Sequence, residues 1–362
     1  MHQVVFRKAN VISLDSSPDP QPTSGTVRIR VKAFGINFAD IMMRTGNYGD
    51  APPFPNVAGY EVSGVVDAVG ENVSQDWIGA RVAALTKFGG YSDVVVVPLD
   101  QLIRVPENLS FIDAASIPVV YLTAWMLLVH LGSIKKGEVL VIQNAGGGVG
   151  LAAIDIALHK GATTIGTSSA AKHAFLKSRG LHHAIDYRTQ DFVTEIKRIT
   201  NNKGADLIID PIGGRESWNK NFASLRRGGR LGFFGASSMM ETLKGQTGLI
   251  ALVVAWIKVA FSMILGAPTW SPIKLMDENK AVFGVNLARM FEDKEPVVDW
   301  FKTIMDGVQE GWVRPHVDCV LEMANVEKAH FLLEERKTTG KIVIVVDAKD
   351  AAHDLSKYKF VQ

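Results

Sequence analysis

The chain has 362 residues, 47% of them hydrophobic and 21% charged, with 39 basic and 37 acidic side chains and a formal net charge of +2. A chain this long exceeds the size at which a single core usually divides, so two domains are expected, and the balanced, interspersed charge argues against a nucleic-acid partner. One cysteine, Cys319, excludes an intramolecular disulfide and a thiolate metal cage, and fits a reducing, cytoplasmic setting.

The opening stretch MHQVVFRKANVISLD lacks the basic, apolar, small-residue order of a secretory signal. Residues 26 to 120 predict short strands and turns. TVRIRVKAFGI alternates apolar and polar at period two, and the Pro- and Gly-rich DAPPFPNVAGYEVSGVVDAVG continues the style, as does ARVAALTKFGGYSDVVVVPLDQLIRVP. The texture changes after SIPVVYLTAWMLLVHLG. From there strand candidates alternate with helical runs: EVLVIQ, TTIGTS, HHAIDY, ADLIID, RLGFFG and KAVFGVNL, separated by GLAAIDIALHKG, AAKHAFLKSRG, QDFVTEIKRIT and ESWNKNFASLRRG. Six strands with helical crossovers predict an α/β fold with a doubly wound parallel sheet.

One stretch interrupts that pattern. Leu249–Ala267, LIALVVAWIKVAFSMILGA, is 19 residues long with Lys258 as its one charge. It has the length to span a bilayer, but a charge at its centre costs about 2.5–3.5 kcal/mol there. The favoured reading is a buried or partner-covered helical excursion, with peripheral membrane contact as the alternative. The tail predicts a helix in VVDWFKTIMDGVQEG, another in VEKAHFLLEERKTTG, a strand in KIVIVVD, and frayed polar residues from about Ala348. The domain boundaries read as 1–120 completed by 289–362 for the β-rich domain, and 121–288 for the parallel-sheet domain.

The heptad NAGGGVG, Asn144 to Gly150, lies between the first strand of the alternating region and a helix expected to open at Val149. Aligned to the dinucleotide-binding pattern G-x-G-x-x-G, its key positions are Ala145, Gly147 and Gly150, with Gly148 and Val149 between. Gly147 lets the backbone approach a pyrophosphate, Gly150 lets the helix pack on the strand, and the helix N-terminus holds the anion. A ligand-free structural turn is the plain alternative. In an NAD site a carboxylate about 20 residues further along binds the ribose 2′-hydroxyl. Here Ser168 stands in its place, Lys172 follows, and Tyr187 and Arg188 end the next strand. A hydroxyl, an ammonium and a phenol at that rim accept a 2′-phosphate that a carboxylate repels, so the expected cofactor is NADPH. Taken singly, Lys172 reads equally as a solvated lysine and Tyr187 as a strand-end aromatic.

Several ordered motifs carry a family likeness. GINFADIMMRTGNYG, AGYEVSGVVDAVG, TAWMLLVHLGSIKKGEVLVIQNAGGGVG, DPIGG and GKIVIVV resemble the medium-chain dehydrogenase/reductase superfamily over about 340 residues, and within it the zinc-independent quinone oxidoreductases. TSSAAKHAFLKSRG, IDYRTQDF and the apolar excursion are similar to the vesicle amine transport protein-like branch. The resemblance implies a GroES-like catalytic domain beside the Rossmann domain, with the active site in the cleft between them. Zinc alcohol dehydrogenases of this superfamily take metal from a cysteine and a histidine where this chain has Asn37 and Tyr60, although Glu61 remains, so no metal is expected.

The same resemblance implies roles for particular residues. Asn37 and Tyr48 polarise and position the substrate oxygen, their alternatives being a turn asparagine and a rim aromatic; Asp40 braces the following helix. Thr123 contacts the nicotinamide. Asp210, Gly213 and Gly214, then Phe234 and Gly235, then Phe283, Gly284 and Val285 border the cofactor at strand ends. Lys341 is a cofactor contact or a solvated strand-end lysine. The implied activity is hydride transfer from NADPH to a quinone or an α,β-unsaturated carbonyl compound by a homodimer. Two alternatives stand beside it: an enoyl thioester reductase, and an NADPH-binding, membrane-associated or partner-binding protein with little catalysis.

Overall fold

The computed structural model describes residues 1–238, 270–291 and 294–361. The apolar Leu249–Ala267 stretch, with its expected helical excursion or membrane contact, lies outside the described residues. Among those described, no helix is long and apolar enough to cross a membrane. The chain forms two compact units, Met1–Leu122 with Leu287–Gln362, and Thr123–Asn286.

The first unit begins with the antiparallel pair β1 (His2–Lys8) and β2 (Val11–Ser16), then runs through β3 (Thr26–Ile36), β4 (Glu61–Val69), β5 (Arg81–Leu85), β6 (Val94–Pro98) and β7 (Leu102–Arg104). The second unit supplies β8 (Val139–Ile142), β9 (Thr163–Ser168), β10 (His183–Asp186), β11 (Ala205–Asp210), β12 (Leu225–Phe233) and β13 (Ala281–Gly284). The chain then returns to the first unit as β14 (Val317–Glu322) and β15 (Lys341–Val345).

The main sheet of the first unit runs β14-β15-β3-β4-β5-β7, with β6 also paired to β3. The period-two pattern of β3 buries Val27, Ile29, Val31 and Ala33, and burial then becomes continuous through Phe34, Gly35 and Ile36. The second face closes there because the helix Phe111–Ala115 packs over it: Ala33, Ile112, Ala115, Val343 and Val345 share one cluster. Gly35 is required at this crossing, since a Cβ would collide with the Glu61 carboxylate and the Ala115 carbonyl. Phe6, Phe34 and Tyr91 centre the larger core on the opposite face, with Phe34 stacked on Tyr91 at 4.9 Å.

Among the described residues of the second unit the six strands are all parallel, in the order β10-β9-β8-β11-β12-β13. The chain enters at the centre, winds outward to one edge, crosses back and winds to the other. β11, buried at all six residues, shows the two-sided cover of a central parallel strand. The direction of winding reverses beyond the carboxyl ends of β8 and β11, where open α/β sheets bind their ligands.

The expected frayed tail is corrected. A short helix, Ala352–Leu355, brings Leu355, Tyr358 and Phe360 onto the Val320 and Val345 cluster. Val320 N–H donates to the Lys359 carbonyl at 2.9 Å, and the Tyr358 and Ser110 hydroxyls lie 2.8 Å apart. Three apolar side chains spaced among charges suffice to dock the segment against β14 and cover its exposed edge.

Candidate active site

The parallel sheet gathers most of the expected cofactor residues at one edge, because parallel strands end on the same side. The loop from Gln143 to Gly147 follows β8, Ser168 ends β9, Tyr187 follows β10, Asp210 ends β11, Phe234 follows β12 and Val285 follows β13. The helix after β8 opens at Gly148, one residue before the expected Val149, with Gly147 as its N-cap and no side-chain cap. Its first N–H groups therefore have neither an intrahelical nor a capping partner, the arrangement that suits a phosphate. The left-handed residue of the turn is Asn144, at φ 57°, so Ala145 keeps an ordinary conformation where the fingerprint has its first glycine.

One glycine of this loop, Gly150, is held to its place by backbone atoms. A Cβ on Gly150 would lie 2.6 Å from the carbonyl oxygens of both Asn144 and Ala145. One on Gly147 would lie 2.9 Å from the Asn144 side-chain nitrogen. The three atoms nearest a Cβ on Gly146 would all belong to the Lys172 side chain, Cδ at 2.7 Å, which places that lysine alongside the loop. Ser168 is buried, whereas Tyr187 is 44% exposed with the Arg188 guanidinium over its ring. Phe234 N–H donates to the Asp210 carbonyl and Val285 N–H to that of Phe233, at 3.2 and 2.7 Å. The Phe283 ring lies against Gly232, and Gly235 against the Pro211 carbonyl. Thr123 is buried in the helix Pro118–Trp125.

Beneath the loop runs a polar network that the sequence reading missed. Asn144 N–H donates to Thr167 Oγ1 at 3.2 Å, Thr167 to Gln143 Oε1 at 2.7 Å, and Gln143 Nε2 to Asn221 Oδ1 at 2.7 Å. Asn221 Nδ2 and the Ser217 hydroxyl donate to Asp210 Oδ2 at 2.9 and 3.0 Å, and the N–H groups of Ile212 and Gly213 donate to Oδ1. Burial lifts the Asp210 carboxyl above its ordinary value despite these donors. The chain of bonds ties the ends of β8, β9 and β11 together under the loop. A glutamine and an asparagine at positions patterned as buried, in VIQN and NKNFAS, were the available signal.

The first unit holds a polar cluster of its own around Asn37. Asn37 precedes the helix Phe38–Arg44 and is 8% exposed. Its Nδ2 donates to Glu61 Oε1 at 2.9 Å, and Lys341 Nζ donates to Asn37 Oδ1 at 2.8 Å. Lys341 also reaches Glu61 Oε1 at 2.7 Å and the Ile36 carbonyl at 2.6 Å. Val119 N–H donates to the other Glu61 oxygen at 2.8 Å. Tyr48 packs edge-on to Tyr60, and Tyr60 tilts against Phe88 at 5.5 Å. Burial raises both tyrosine pKa values, so both phenols keep their protons.

Asp40 sits one helical turn beyond Asn37 and accepts from the N–H groups of Asn37 and Gly59 at 2.7 and 3.2 Å, a capping role. Its burial is complete, and desolvation pushes its carboxyl up to about 7 from the ordinary 3.8. Tyr91 connects it to His330, whose Nε2 lies 2.9 Å from the phenol and whose pKa burial pushes down to about 3 from 6.5. The two shifts act oppositely on stability. The folded chain keeps a proton on Asp40 that the unfolded chain releases, so this contribution is full below pH 3.8 and lost as pH rises through about 7. The His330 contribution is full above pH 6.5 and lost as pH falls through about 3. Asp40→Asn removes the first and leaves the second. Its urea midpoint is expected to fall more steeply than that of the parent between pH 7 and pH 4.5; parallel profiles would contradict the assignment.

These geometries bear on comparison with known proteins. Residues 148–303 match the zinc-binding dehydrogenase family and residues 23–107 the alcohol dehydrogenase GroES-like domain. The synaptic vesicle membrane protein VAT-1 homolog of Homo sapiens is 35% identical over 94% of this chain and 84% of its own length. The Danio rerio homolog is 35% identical over 91% of this chain, which spans 66% of that protein's length. The structure of the Escherichia coli quinone oxidoreductase, a complex with NADPH, is 26% identical, covering 95% of this chain and all of the other with a TM-score of 0.81. The fold and the site thus define an oxidoreductase architecture. The chain belongs to the medium-chain dehydrogenase/reductase superfamily, in its zinc-independent, VAT-1-like branch.

The donor set around Asn37 does not fit the zinc named in one of those family descriptions. Zinc takes thiolate, imidazole and carboxylate ligands. Asn37 offers an amide, and beside it stands one carboxylate already bonded to an ammonium. Among the described residues no group of three or more His, Cys, Asp or Glu could hold a metal ion.

Proposed function

We propose that the chain is an NADPH-dependent reductase of quinones or other α,β-unsaturated carbonyl compounds that works without a metal. The observation that carries this reading is the Asn37 amide, fixed between Glu61 and Lys341 where zinc relatives place a metal ligand. Carbonyl reduction needs a donor aimed at the oxygen that gains charge, and a preorganised amide N–H supplies one without reorganising. The Tyr48 phenol is a second donor, its ring set edge-on against Tyr60.

The glycine loop at Gly147, Gly148, Val149 and Gly150, with Ala145, holds the pyrophosphate, and Ser168, Lys172 and Tyr187 meet the 2′-phosphate. Thr123, Phe234, Gly235, Phe283 and Val285 border the nicotinamide, which supplies the hydride when bound. Among this chain's own groups, Asn37 orients and stabilises the substrate oxygen; quinones accept hydride readily enough for orientation to do much of the remaining work.

Ser168 decides the cofactor. Ser168→Asp places a carboxylate at the rim, and the ratio of NADPH to NADH affinity is expected to fall by about tenfold or more, read by fluorescence titration of both. An unchanged ratio would contradict the assignment. Steady-state assays with NADPH against quinones, enones and enoyl thioesters test the activity. Turnover of quinones or enones is the expected result. Turnover confined to enoyl thioesters would move the substrate class, and none with any of them would overturn the reading.

A further inference from the structure

We infer that Lys341 is a positioning residue for Asn37: together with Glu61 it sets which edge of the amide faces the substrate, and it takes no part in holding the dinucleotide. The inference rests on the reading of Asn37 given above and extends it. A lysine ammonium has three protons and no lone pair to accept with. All three protons of Lys341 are placed, on the Ile36 carbonyl at 2.6 Å, Asn37 Oδ1 at 2.8 Å and Glu61 Oε1 at 2.7 Å. The residue is 4% exposed. A cofactor phosphate could engage it only by displacing one of these acceptors.

The same bonds explain why an ammonium and a carboxylate are both present. A primary amide can turn over, exchanging its oxygen and nitrogen, at little cost when its neighbours both donate and accept. Here neither neighbour does. Lys341 can only donate, so it selects Oδ1; the Glu61 carboxylate can only accept, so it selects Nδ2. One orientation survives, and it leaves the second Nδ2 proton as the amide's remaining donor. Glu61 is in turn fixed by the Val119 N–H on its other oxygen, and Gly35 leaves room for its carboxylate. The ion pair adds no net charge beside Asn37.

The test uses Lys341→Met, Glu61→Gln and the double variant, which keeps no unpaired buried charge and is the variant expected to fold. A cooperative thermal transition establishes folding. In the double variant the NADPH dissociation constant is expected to stay within about twofold of the parent, while kcat on a quinone falls about tenfold or more with KM little changed. Adding Asn37→Ala to that background is expected to cost far less than it costs the parent, because the groups act as a unit. A tenfold or greater loss of NADPH affinity in the folded variant would assign Lys341 to the cofactor and overturn the inference. Full additivity with Asn37→Ala would overturn it as well. If the parent reduces neither quinones nor enones, the proposed activity fails separately, and hydroquinone binding to the NADP⁺ complex still decides Lys341. Weakened hydroquinone binding with unchanged NADPH affinity supports positioning; the reverse pattern contradicts it.

Discussion

Replacing Asn37 with alanine is expected to lower kcat on a quinone about 10²-fold while NADPH affinity stays the same, the scale of losing one oriented donor to a developing oxyanion. Stability falls too, because Lys341 loses the Oδ1 acceptor; an unmet buried donor costs about 1–3 kcal/mol. Asn37→Asp is the second variant. An aspartate at this place still accepts from Lys341 but cannot donate to substrate, and its other oxygen meets the Glu61 carboxylate that the amide donated to, so it is expected to match alanine in lost turnover and to unfold no later. Parallel measurement of kcat, NADPH affinity and thermal midpoint for both variants checks this. If either variant kept near-parental kcat, Asn37 would not be the donor.

The second large effect belongs to the glycine loop. A Cβ at Gly150 falls 2.6 Å from two backbone carbonyl oxygens, and backbone cannot swing aside as a side chain can. Gly150→Val is expected to weaken NADPH binding about 10²-fold or more and to cost about 1–3 kcal/mol of stability, since the helix must move away from the loop. Gly146→Ala is the informative contrast, because the atoms nearest its new methyl belong to the flexible Lys172 side chain rather than to backbone. That variant is expected to keep the fold and lose affinity through displaced Lys172 alone. Equal NADPH affinity for the Gly150 variant and the parent would show that the loop does not carry the phosphates.

The parallel sheet was legible because its signal is local: six apolar runs, each followed by turn residues, with helical spacing between. Once the strands are parallel, their ends must share an edge, and Ser168, Asp210, Phe234 and Val285 follow from the pattern alone. The partners of Lys341 were not legible. Asn37, Glu61 and Lys341 come from β3's end, β4's start and β15's start, brought together by sheet pairings that span three hundred residues of chain. No periodicity records such a meeting. The network from Thr167 to Asp210 was hidden for a related reason, since buried amides look like loop residues until their acceptors are in place. The docking of the tail was not legible because its charges outnumber Leu355, Tyr358 and Phe360, the side chains that pack it onto the cluster.

Direct titration of the purified chain with NADPH, followed by nucleotide fluorescence and with NADH run beside it, bears on everything else. The account predicts saturation at one nucleotide per chain, with NADPH bound at least about tenfold more tightly than NADH. Failure to retain either nucleotide would leave the parallel sheet and its glycine loop without the role assigned to them, and the proposed reduction with them.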